Sequence, residues 1–577
     1  MTSTINETET NPDEAAPLPS QKAGWRRLLA SLGNAKTAYM LLFGFASGLP
    51  YTLLLSTLYA WMSDAKVDLE TMGVFSLIGL AFAFKFLWSP LLDRIDLPGI
   101  KRLGHRKQWM VTAQALLAVV LIAVSRLDPS GAIGMLSLLA GVGAFASATQ
   151  DVVMDAWRVD VADEVATIDI LSTVYQLGWR SAVLVGGALA LFLAERTSWP
   201  TVYALLGCVM GLVAFAAIFA PEPARSSASL TADDDALREL RGPGQLSPRI
   251  RGWALAIVGV LWAWALVTVG IFMFQSLSSD PAARPDSVKF IQNMGPVIVV
   301  ATVVVPVIIA AILENWRRKG RYVLDKAVPK NDAIDGFVDQ GYRALILPLA
   351  EFVGRLGWAV IIVLTLVLSY RFTDTVWGSF AYPFYLGELE YTKDEVAIAS
   401  KFFGVGALML GITLGGALFS FIGRMPVMFI GALTAALSNL LYADLALGGH
   451  VMEVVANFTG FTALVEWFGG DVRLAKLMVA IAGENLAGGL AGAALIAYLS
   501  SITAKGYSAV QYALLSSLTF LVGTLGRGAL GQMIDEQGYY PVFILTTLLG
   551  FVAVVFCVIE WWRQARLGKK AGVVAPG

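Results

Sequence analysis

The sequence carries little charge, almost no histidine and only two cysteines. Charged residues make up 15% of its 577 residues and hydrophobic residues 57%, whereas a soluble protein carries about 25% charged residues. This shortage of charge predicts an integral membrane protein with many spans. The formal net charge of −1 argues against nucleic acid as a partner.

Sites for metals, disulfides and soluble catalysis lack the residues that they need. The sequence has two histidines and no CxxC, HExxH or P-loop pattern, so no metal or phosphate motif is present. Cys208 and Cys557 both fall in apolar stretches, which argues against a disulfide framework. An integral-membrane enzyme would need a clustered catalytic set, and a receptor would need a soluble output domain. Neither is visible, so we expect a protein that is not an enzyme and has no cofactor.

About fourteen apolar stretches are long enough to cross a membrane. They fall into six, two and six, which predicts an all-α membrane protein with two six-helix bundles and two extra helices between them. The major facilitator fold has this repeat architecture, with its substrate site near the membrane midplane between the halves. The predicted spans are residues 38–61, 70–91, 108–126, 131–156, 169–194, 199–220, 252–275, 291–313, 356–386, 395–421, 425–447, 474–502, 507–532 and 540–562.

The polar segments between these stretches divide the chain. The predicted order is a cytoplasmic tail (1–36), the first bundle (37–220), a linker (221–251), two additional helices (252–314), a linker with an amphipathic segment (315–355), the second bundle (356–563) and a cytoplasmic tail (564–577). Residues 344–355 and 450–468 are expected to lie at the membrane interface. With both termini inside, roughly 28 Lys and Arg residues are cytoplasmic and about 8 periplasmic, which is the usual asymmetry.

A polar stripe in the fourth span is the strongest functional signal. Ser147, Asp151, Asp155 and Arg158 follow helical spacing on one face. A carboxylate at membrane depth is costly and persists only with a partner or a function. Lys85 in the second span lies at a similar depth to Asp151, so the two are expected to pair. The pair either neutralises two buried charges or titrates when substrate or a proton binds.

The lower part of the stripe predicts a cytoplasmic gate. Asp155, Arg158 and Asp160 lie nearer the cytoplasmic end and are expected to pair with Arg94 and Arg106. The segment from Ser89 through Asp93 and Arg94 to Lys107 resembles the cytoplasmic signature of the major facilitator superfamily, with an insertion. The equivalent second-half segment replaces the Asp-Arg pair by Ser420 and Phe421. The candidate gate residues are Asp93, Arg94, Arg106, Asp155, Arg158 and Asp160.

Arg180 lies near the bilayer centre in the fifth span and cannot be neutralised by deprotonation. It therefore needs a carboxylate, backbone carbonyls or an anionic substrate as its partner. Tyr175 lies on the same span, and Trp61, Tyr175 and Trp179 are candidates for stacking on a sugar ring.

The second half carries its own intramembrane charges. Arg371 and Asp374 share a helix face, so an internal pair is the simplest interpretation. Glu484 is expected to pair with Lys401 or Arg371, and its burial also makes it a candidate proton carrier beside Asp151. Asn485 follows it directly.

Small residues and a proline mark the first span. Gly44, Ser47 and Gly48 allow close helix packing, and with Pro50 they predict a kink that serves a rocking motion.

Several motifs together resemble the AmpG-type anhydromuropeptide permeases of Gram-negative bacteria. They are GFASGLP (44–50), FSLIG (75–79), FKFLWSPLLDR (84–94), ATQDVVMDAW (148–157), GENL (483–486) and QYALLSS (511–517). The resemblance extends over the twelve core spans. It does not extend to the 14-helix peptide–proton symporters, since the first span here carries no charge.

The resemblance implies a function that the residues alone do not give. It implies a permease of the bacterial inner membrane that imports N-acetylglucosaminyl-1,6-anhydro-N-acetylmuramyl peptides, driven by the proton gradient. We also expect the protein to be a monomer. The imported fragments would feed peptidoglycan recycling and signal β-lactamase induction. It also implies that Gln150 and Asp151 are sensitive positions. Lys85, Arg180 and Lys401 could hold carboxylates, and Asn485, Gln150 and aromatic rings could hold sugar groups. The alternative is a related transporter of another sugar-peptide or drug-like substrate.

Overall fold

The computed structural model describes residues 25–66, 78–129, 131–222, 239–276, 287–329, 333–370, 380–381 and 383–570. Within these ranges every regular element is a helix, apart from one isolated β-bridge between Leu246 and Val323. The predicted all-α architecture is confirmed. A short helix, Trp25–Leu32, precedes the bundle helices.

The first half contains six bundle helices. They are α1 (Ala35–Thr52, a π-helical turn Leu53–Thr57 and Leu58–Asp64), α2 (Ile78–Phe84, a 3₁₀ turn Lys85–Leu87 and Ser89–Arg94), α3 (His105–Val124), α4 (Ile133–Val161), α5 (Ile168–Arg196) and α6 (Trp199–Ile218).

Three helices, which we call the insert, lie between the halves in sequence. They are α7 (Pro248–Ser276), α8 (Ser287–Val299, a π-helical turn Val300–Val304 and Val305–Arg318) and α9 (Ala333–Leu345). The first two correspond to the predicted extra spans. The ends of α7 and α8 are joined through the β-bridge and through backbone hydrogen bonds between residues 244–247 and 322–324.

The second half begins with α10 and ends with α18. Its elements are α10 (Leu347–Leu356), α11 (Ala359–Tyr370), a π-helical turn (Pro383–Glu388), α12 (Lys393–Ile422), α13 (Arg424–Ala446), α14 (His450–Phe458), α15 (Phe461–Trp467), α16 (Val472–Ile502), α17 (Ser508–Gln537) and α18 (Tyr539–Lys570). The α18 helix continues past residue 564, where a cytoplasmic tail was expected to begin.

The structure places a break close to residue 356, where the predicted amphipathic segment (344–355) gives way to the predicted span (356–386). A bend of 104° separates α10 from α11, and Gly357 at this bend has a φ of +58°, which favours glycine. The stretch is therefore an amphipathic helix followed by a span that begins at Ala359. In the described residues ten helices are long and apolar enough to cross a membrane, with this bent pair as an eleventh. The total of fourteen stays a prediction.

The segment over residues 450–468 forms two short helices, α14 and α15. They have nine and seven residues, and a membrane span needs about 20. Neither helix of this segment is therefore long enough to cross the membrane. Its aromatic side chains at Phe458, Trp467 and Phe468 are exposed, as in a helix at a membrane interface.

The two halves repeat the same packing. In the first half α3 packs against α4 and α6, and in the second half α13 packs against α16 and α18. We call the end of the bundle where α4 ends and α17 begins the lower end.

Glycines bring α1 and α5 into close contact. A Cβ atom at Gly44 would fall on the backbone of Tyr175, and one at Gly48 would lie 2.6 Å from the carbonyl oxygen of Trp179. A larger residue at either position would push α5, and the cavity residues on it, away from α1.

Pro50 explains the position of Gln150. Pro50 has no N–H, so it leaves the carbonyl of Ala46 without its helical donor. The side-chain amide of Gln150 donates to this carbonyl at 2.7 Å, and the π-helical turn of α1 follows three residues after Pro50. Gln150 is fully buried in this contact and does not line the central cavity described below, so its role in substrate binding stays a prediction.

Candidate functional site

A cavity of about 420 Å³ lies between the two halves. Four first-half helices form one wall, and α16 and α17 form the other. The first half contributes Tyr51, Lys85, Asp151, Asp155, Tyr175, Gln176, Trp179 and Arg180, and the second half contributes Leu495, Ile496, Leu499, Tyr512, Ser516 and Thr519. All the charged side chains that line the cavity therefore come from the first half.

The ion pair expected between Lys85 and Asp151 is present. The Lys85 ammonium donates to Oδ2 of Asp151, and only 8% and 14% of the two side chains are exposed. The hydroxyls of Ser47 and Tyr175 donate to Oδ1 at 2.8 and 2.7 Å. Asp151 thus accepts hydrogen bonds from three helices, which compensates a carboxylate removed from water. Sequence reasoning assigned Ser47 to packing only and missed this bond.

Asp155 belongs to the cavity and not to the gate. Its carboxylate lies 3.8 Å from the Lys85 ammonium and accepts a hydrogen bond of 2.9 Å from Arg158. The predicted pairing of Asp155 with Arg94 or Arg106 is therefore wrong. The reason is the helical period, which places Asp155 one turn from Asp151 on the same face.

Arg158 forms the floor of the cavity and joins the halves. Its guanidinium lies between the rings of Tyr175 and Tyr512, 4.9 Å from each ring centroid. Its Nε donates to the hydroxyl of Ser500 on α16 at 3.1 Å. The side chain is fully buried between the two halves.

Below this floor, Arg106 organises a cluster of charges. Its guanidinium contacts Asp93, Asp160 and the hydroxyl of Ser508, each at 2.8 Å. Asp93 accepts from the N–H of Val510 at 3.1 Å, and Ser508 donates to Asp160 at 3.0 Å. We call these five residues the Arg106 cluster.

The Arg106 cluster faces the start of α17. The first N–H groups of a helix lack partners within the helix and carry partial positive charge, so Asp93 and Asp160 stabilise this helix end. The predicted contact of Asp160 with Arg106 is present. Arg94 lies beside the cluster, 5.3 Å from the ring of Tyr507, and donates to the carbonyl of Arg343 at 3.3 Å.

A second contact joins the two halves at the lower end. Arg424, the first residue of α13, forms two hydrogen bonds of 2.6 and 3.1 Å with the carboxylate of Asp169 in the first turn of α5. Both side chains are buried. Sequence reasoning missed this pair because the residues are 255 positions apart and neither lies at membrane depth.

The aromatic and cationic candidates divide between the cavity and the core. Arg180 and Trp179 line the cavity, with the guanidinium 4.7 Å from the ring centroid. The ring of Trp179 also lies 5.7 Å from that of Tyr51. Trp61, by contrast, is buried against Trp199 and Tyr203, so it cannot stack on a substrate in this conformation.

The second-half candidates lie apart from the charged wall. Glu484 accepts hydrogen bonds from Tyr442 at 3.3 Å and from Asn485 at 2.9 Å. It lies 11 residues before Leu495 on α16, or about 16 Å along the helix. Arg371 and Asp374 fall outside the described residues. For Lys401 only the backbone is described, in the π-helical turn Ile398–Gly404.

This arrangement combines balanced charge with groups that bind polar ligands. Lys85 and Arg180 are cations that can bind carboxylates, Asp151 and Asp155 are acids, and the hydroxyls of α17 are neutral donors. Metal-ligating groups of three or more His, Cys, Asp or Glu side chains are absent from the described part of the chain.

Comparison with known proteins finds a matching family model, related sequences and similar solved structures. The family model described as Major Facilitator Superfamily matches residues 40–328. The anhydromuropeptide permease of Escherichia coli K12 is 27% identical over 538 residues, covering 92% of this chain and 81% of the relative. The putative transporter AmpG 4 of Rickettsia felis is 25% identical over 512 residues, covering 89% and 93%. Among solved structures, the proton:xylose symporter XylE covers 93% of this chain at 12% identity, with a TM-score of 0.48.

These matches confirm the resemblance to AmpG-type permeases and the prediction that the protein is not an enzyme, since its relatives are transporters. The helices long enough to cross a membrane make it a multi-pass membrane protein. The matched family model covers half of the sequence, and the chain belongs to the major facilitator superfamily.

Proposed function

We propose that this protein imports N-acetylglucosaminyl-1,6-anhydro-N-acetylmuramyl peptides from periplasm to cytoplasm, driven by the proton gradient. The similarity to the Escherichia coli anhydromuropeptide permease supports this substrate. The protein works as a monomer in the inner membrane, with both termini and the lower end on the cytoplasmic side. Its product enters peptidoglycan recycling and can signal β-lactamase induction.

The observation that carries the proposal is the cluster of Lys85, Asp151 and Asp155 in the cavity wall. One lysine faces two carboxylates there. A proton taken up by either carboxylate removes one partner of Lys85. The freed ammonium then binds a carboxylate of the substrate, which links proton uptake to substrate binding.

The cavity also suits the other parts of a muropeptide. Its peptide carries carboxylates, which Arg180 and Lys85 bind as charge-assisted hydrogen bonds. Its two sugar rings have apolar faces, which pack on the rings of Tyr51 and Trp179. Gln176 and Ser516 line the same space and offer hydrogen bonds to hydroxyl and acetamide groups.

Release to the cytoplasm requires the lower end to open. Arg158, the Arg106 cluster and the Asp169–Arg424 pair close it here. In this proposal substrate enters from the periplasm, and separation of α16 and α17 from α4 then opens the cytoplasmic path, which is alternating access.

Uptake by proteoliposomes tests the proposal. Labelled anhydro-disaccharide-tripeptide should accumulate under an imposed proton gradient, and a protonophore should abolish accumulation. Uptake that survives the protonophore would remove proton coupling from the account. Uptake of an unrelated sugar or drug, with no uptake of the muropeptide, would favour the alternative substrate class. Asp325→Asn, which changes an exposed carboxylate outside the cavity, is the control and should transport normally.

A further inference from the structure

A second cavity lies at the lower end, between the insert and the second half. Its volume is about 380 Å³. The ends of α7 and α8 and the helix α9 form one side, and α10 with the loop before α17 forms the other. It is separate from the central cavity, and its chemistry plays no part in the proposed transport cycle.

The walls of this cavity are rich in arginine. Five arginines and three glutamates line it, so the lining carries two positive charges in excess. Glu314 is already engaged by Arg317 and Arg318, and Glu351 by Arg355. Two of the three lining carboxylates are therefore already paired with arginines of the same wall.

Arg251 is the least satisfied side chain of this wall. It is 1% exposed, and its Nε, Nη1 and Nη2 atoms have no hydrogen-bond acceptor among the described residues. Its Nη1 forms an ion pair of 3.0 Å with Oδ1 of Asp339, whose other oxygen accepts a hydrogen bond of 2.5 Å from Arg241. A buried guanidinium most of whose N–H groups lack an acceptor is costly, and acceptors supplied by a ligand would lower this cost.

The donors match one class of ligand. A guanidinium presents its N–H groups as a planar fork that fits two oxygens of a phosphoryl group, and arginine remains charged at all physiological pH values. Two tyrosines, Tyr342 and Tyr507, also line the cavity and add hydroxyl or ring contacts.

We propose that this cavity is a binding site for a phosphoryl group, held by Arg251. The group belongs either to a soluble phosphate or to the headgroup of an anionic phospholipid. The occupant would lie against Tyr507, whose ring is under Arg94 and which directly precedes Ser508 of the Arg106 cluster. The site thus connects the insert with the residues that close the lower end.

Binding of inorganic phosphate to the purified full-length protein tests the first source. Equilibrium dialysis with labelled phosphate in lipid-free detergent at constant ionic strength should show one saturable site. Arg251→Gln should weaken binding by at least about tenfold, the effect of losing a charge-assisted hydrogen bond. Arg321→Gln, which changes an exposed arginine of the insert outside the cavity, should bind like the wild type.

Binding of a phospholipid headgroup, the second possible source of the phosphoryl group, is tested in a separate experiment. Protein released from nanodiscs of phosphatidylglycerol or phosphatidylcholine is compared by native mass spectrometry for retained lipid. Retention of phosphatidylglycerol that is lost in Arg251→Gln and kept in Arg321→Gln supports the site with a lipid headgroup as its occupant. If neither phosphate nor phosphatidylglycerol binds, or if Arg251→Gln binds them as the wild type does, the proposal is wrong.

A conservative variant covers the case in which Arg251→Gln fails to fold. Arg251→Lys keeps the charge opposite Asp339 but removes the planar fork, so it should fold and still bind phosphate several-fold more weakly. Arg318→Gln removes another lining arginine. If Arg251→Lys and Arg318→Gln, measured as separate variants, both bind phosphate with wild-type affinity, the assignment of the phosphoryl site to this cavity is also wrong.

Discussion

The two halves contribute different chemistry to the cavity between them. The first half presents Lys85, Asp151, Asp155 and Arg180, whereas α16 and α17 present aliphatic side chains, one tyrosine and two hydroxyls. The charges of the site therefore find their partners within one half. A movement of the second half leaves the ion pairs of the first half intact.

The lower end repeats this division. Asp93, Arg106 and Asp160 pair within the first half, and the second half contributes the hydroxyls of Ser500 and Ser508 and the N–H of Val510. Each such hydrogen bond contributes about 0.5–1.5 kcal/mol, whereas breaking a buried ion pair costs about 3–5 kcal/mol. The halves can therefore separate at modest cost. The Asp169–Arg424 pair is the exception, because its ion pair crosses between the halves.

The largest effect is expected at the charged wall. Lys85→Met leaves Asp151 and Asp155 without their shared lysine, so proton-driven uptake should fall to background and the free energy of unfolding should drop by about 3–5 kcal/mol. Lys36→Met is the matched control, since Lys36 pairs with the half-exposed Asp163 at 2.5 Å and such a pair is worth about 1 kcal/mol or less. Equal loss in both variants would contradict the special role of the cavity lysine.

The second largest effect is expected at the Asp169–Arg424 pair, which crosses between the halves. Asp169→Asn leaves Arg424 buried without its counter-charge, so the lower end should open more readily. A spin label on each side of the lower end should report a shift toward longer distances. The exchanged variant Asp169→Arg with Arg424→Asp should restore part of the closed population. Unchanged distances in Asp169→Asn would show that this pair does not hold the halves together.

A smaller effect is expected where the second half contributes only a hydroxyl. Ser508→Ala removes one donor to Asp160 and one acceptor for Arg106 but leaves the ion pairs of the cluster. Uptake should change by less than about tenfold, in line with the net value of a hydrogen bond. Arg106→Gln, measured in the same assay, should reduce uptake more than Ser508→Ala does. A larger loss of uptake in Ser508→Ala than in Arg106→Gln would contradict the view that the ion pairs of the first half matter more than the hydroxyl from the second half.

The smallest effect is expected in the neutral wall of the cavity. Thr519→Ala removes a hydroxyl at a position that is not fully buried, so transport should stay within about threefold of the wild type. The KM for muropeptide uptake is the measurement. A loss comparable to that of Lys85→Met would place essential chemistry in the second half.

The sequence predicts which charged residues lie at similar depth in the membrane, but not where their side chains point. Depth along the helices predicted the Lys85–Asp151 contact, because both positions could be counted from the membrane edge. Depth does not say where a side chain points, so Gln150 was grouped with Asp151 although it turns toward Pro50. The same helical period that linked Asp151 to Asp155 would have placed Asp155 in the cavity.

Contacts between distant segments were beyond the reach of the sequence. The Asp169–Arg424 pair and the position of Ser508 against Arg106 depend on how the halves dock, which no local pattern encodes. The boundary at Gly357, by contrast, was predictable, because the amphipathic segment and the apolar span on either side of it differ in composition.

Proton-driven accumulation by Asp151→Asn tests the central claim most directly. The variant keeps the shape of the side chain but removes the charge that pairs with Lys85. At equal amounts of folded protein in proteoliposomes, accumulation of labelled muropeptide should fall to the level seen with protonophore, while Asp325→Asn accumulates normally. Wild-type accumulation by Asp151→Asn would contradict the account.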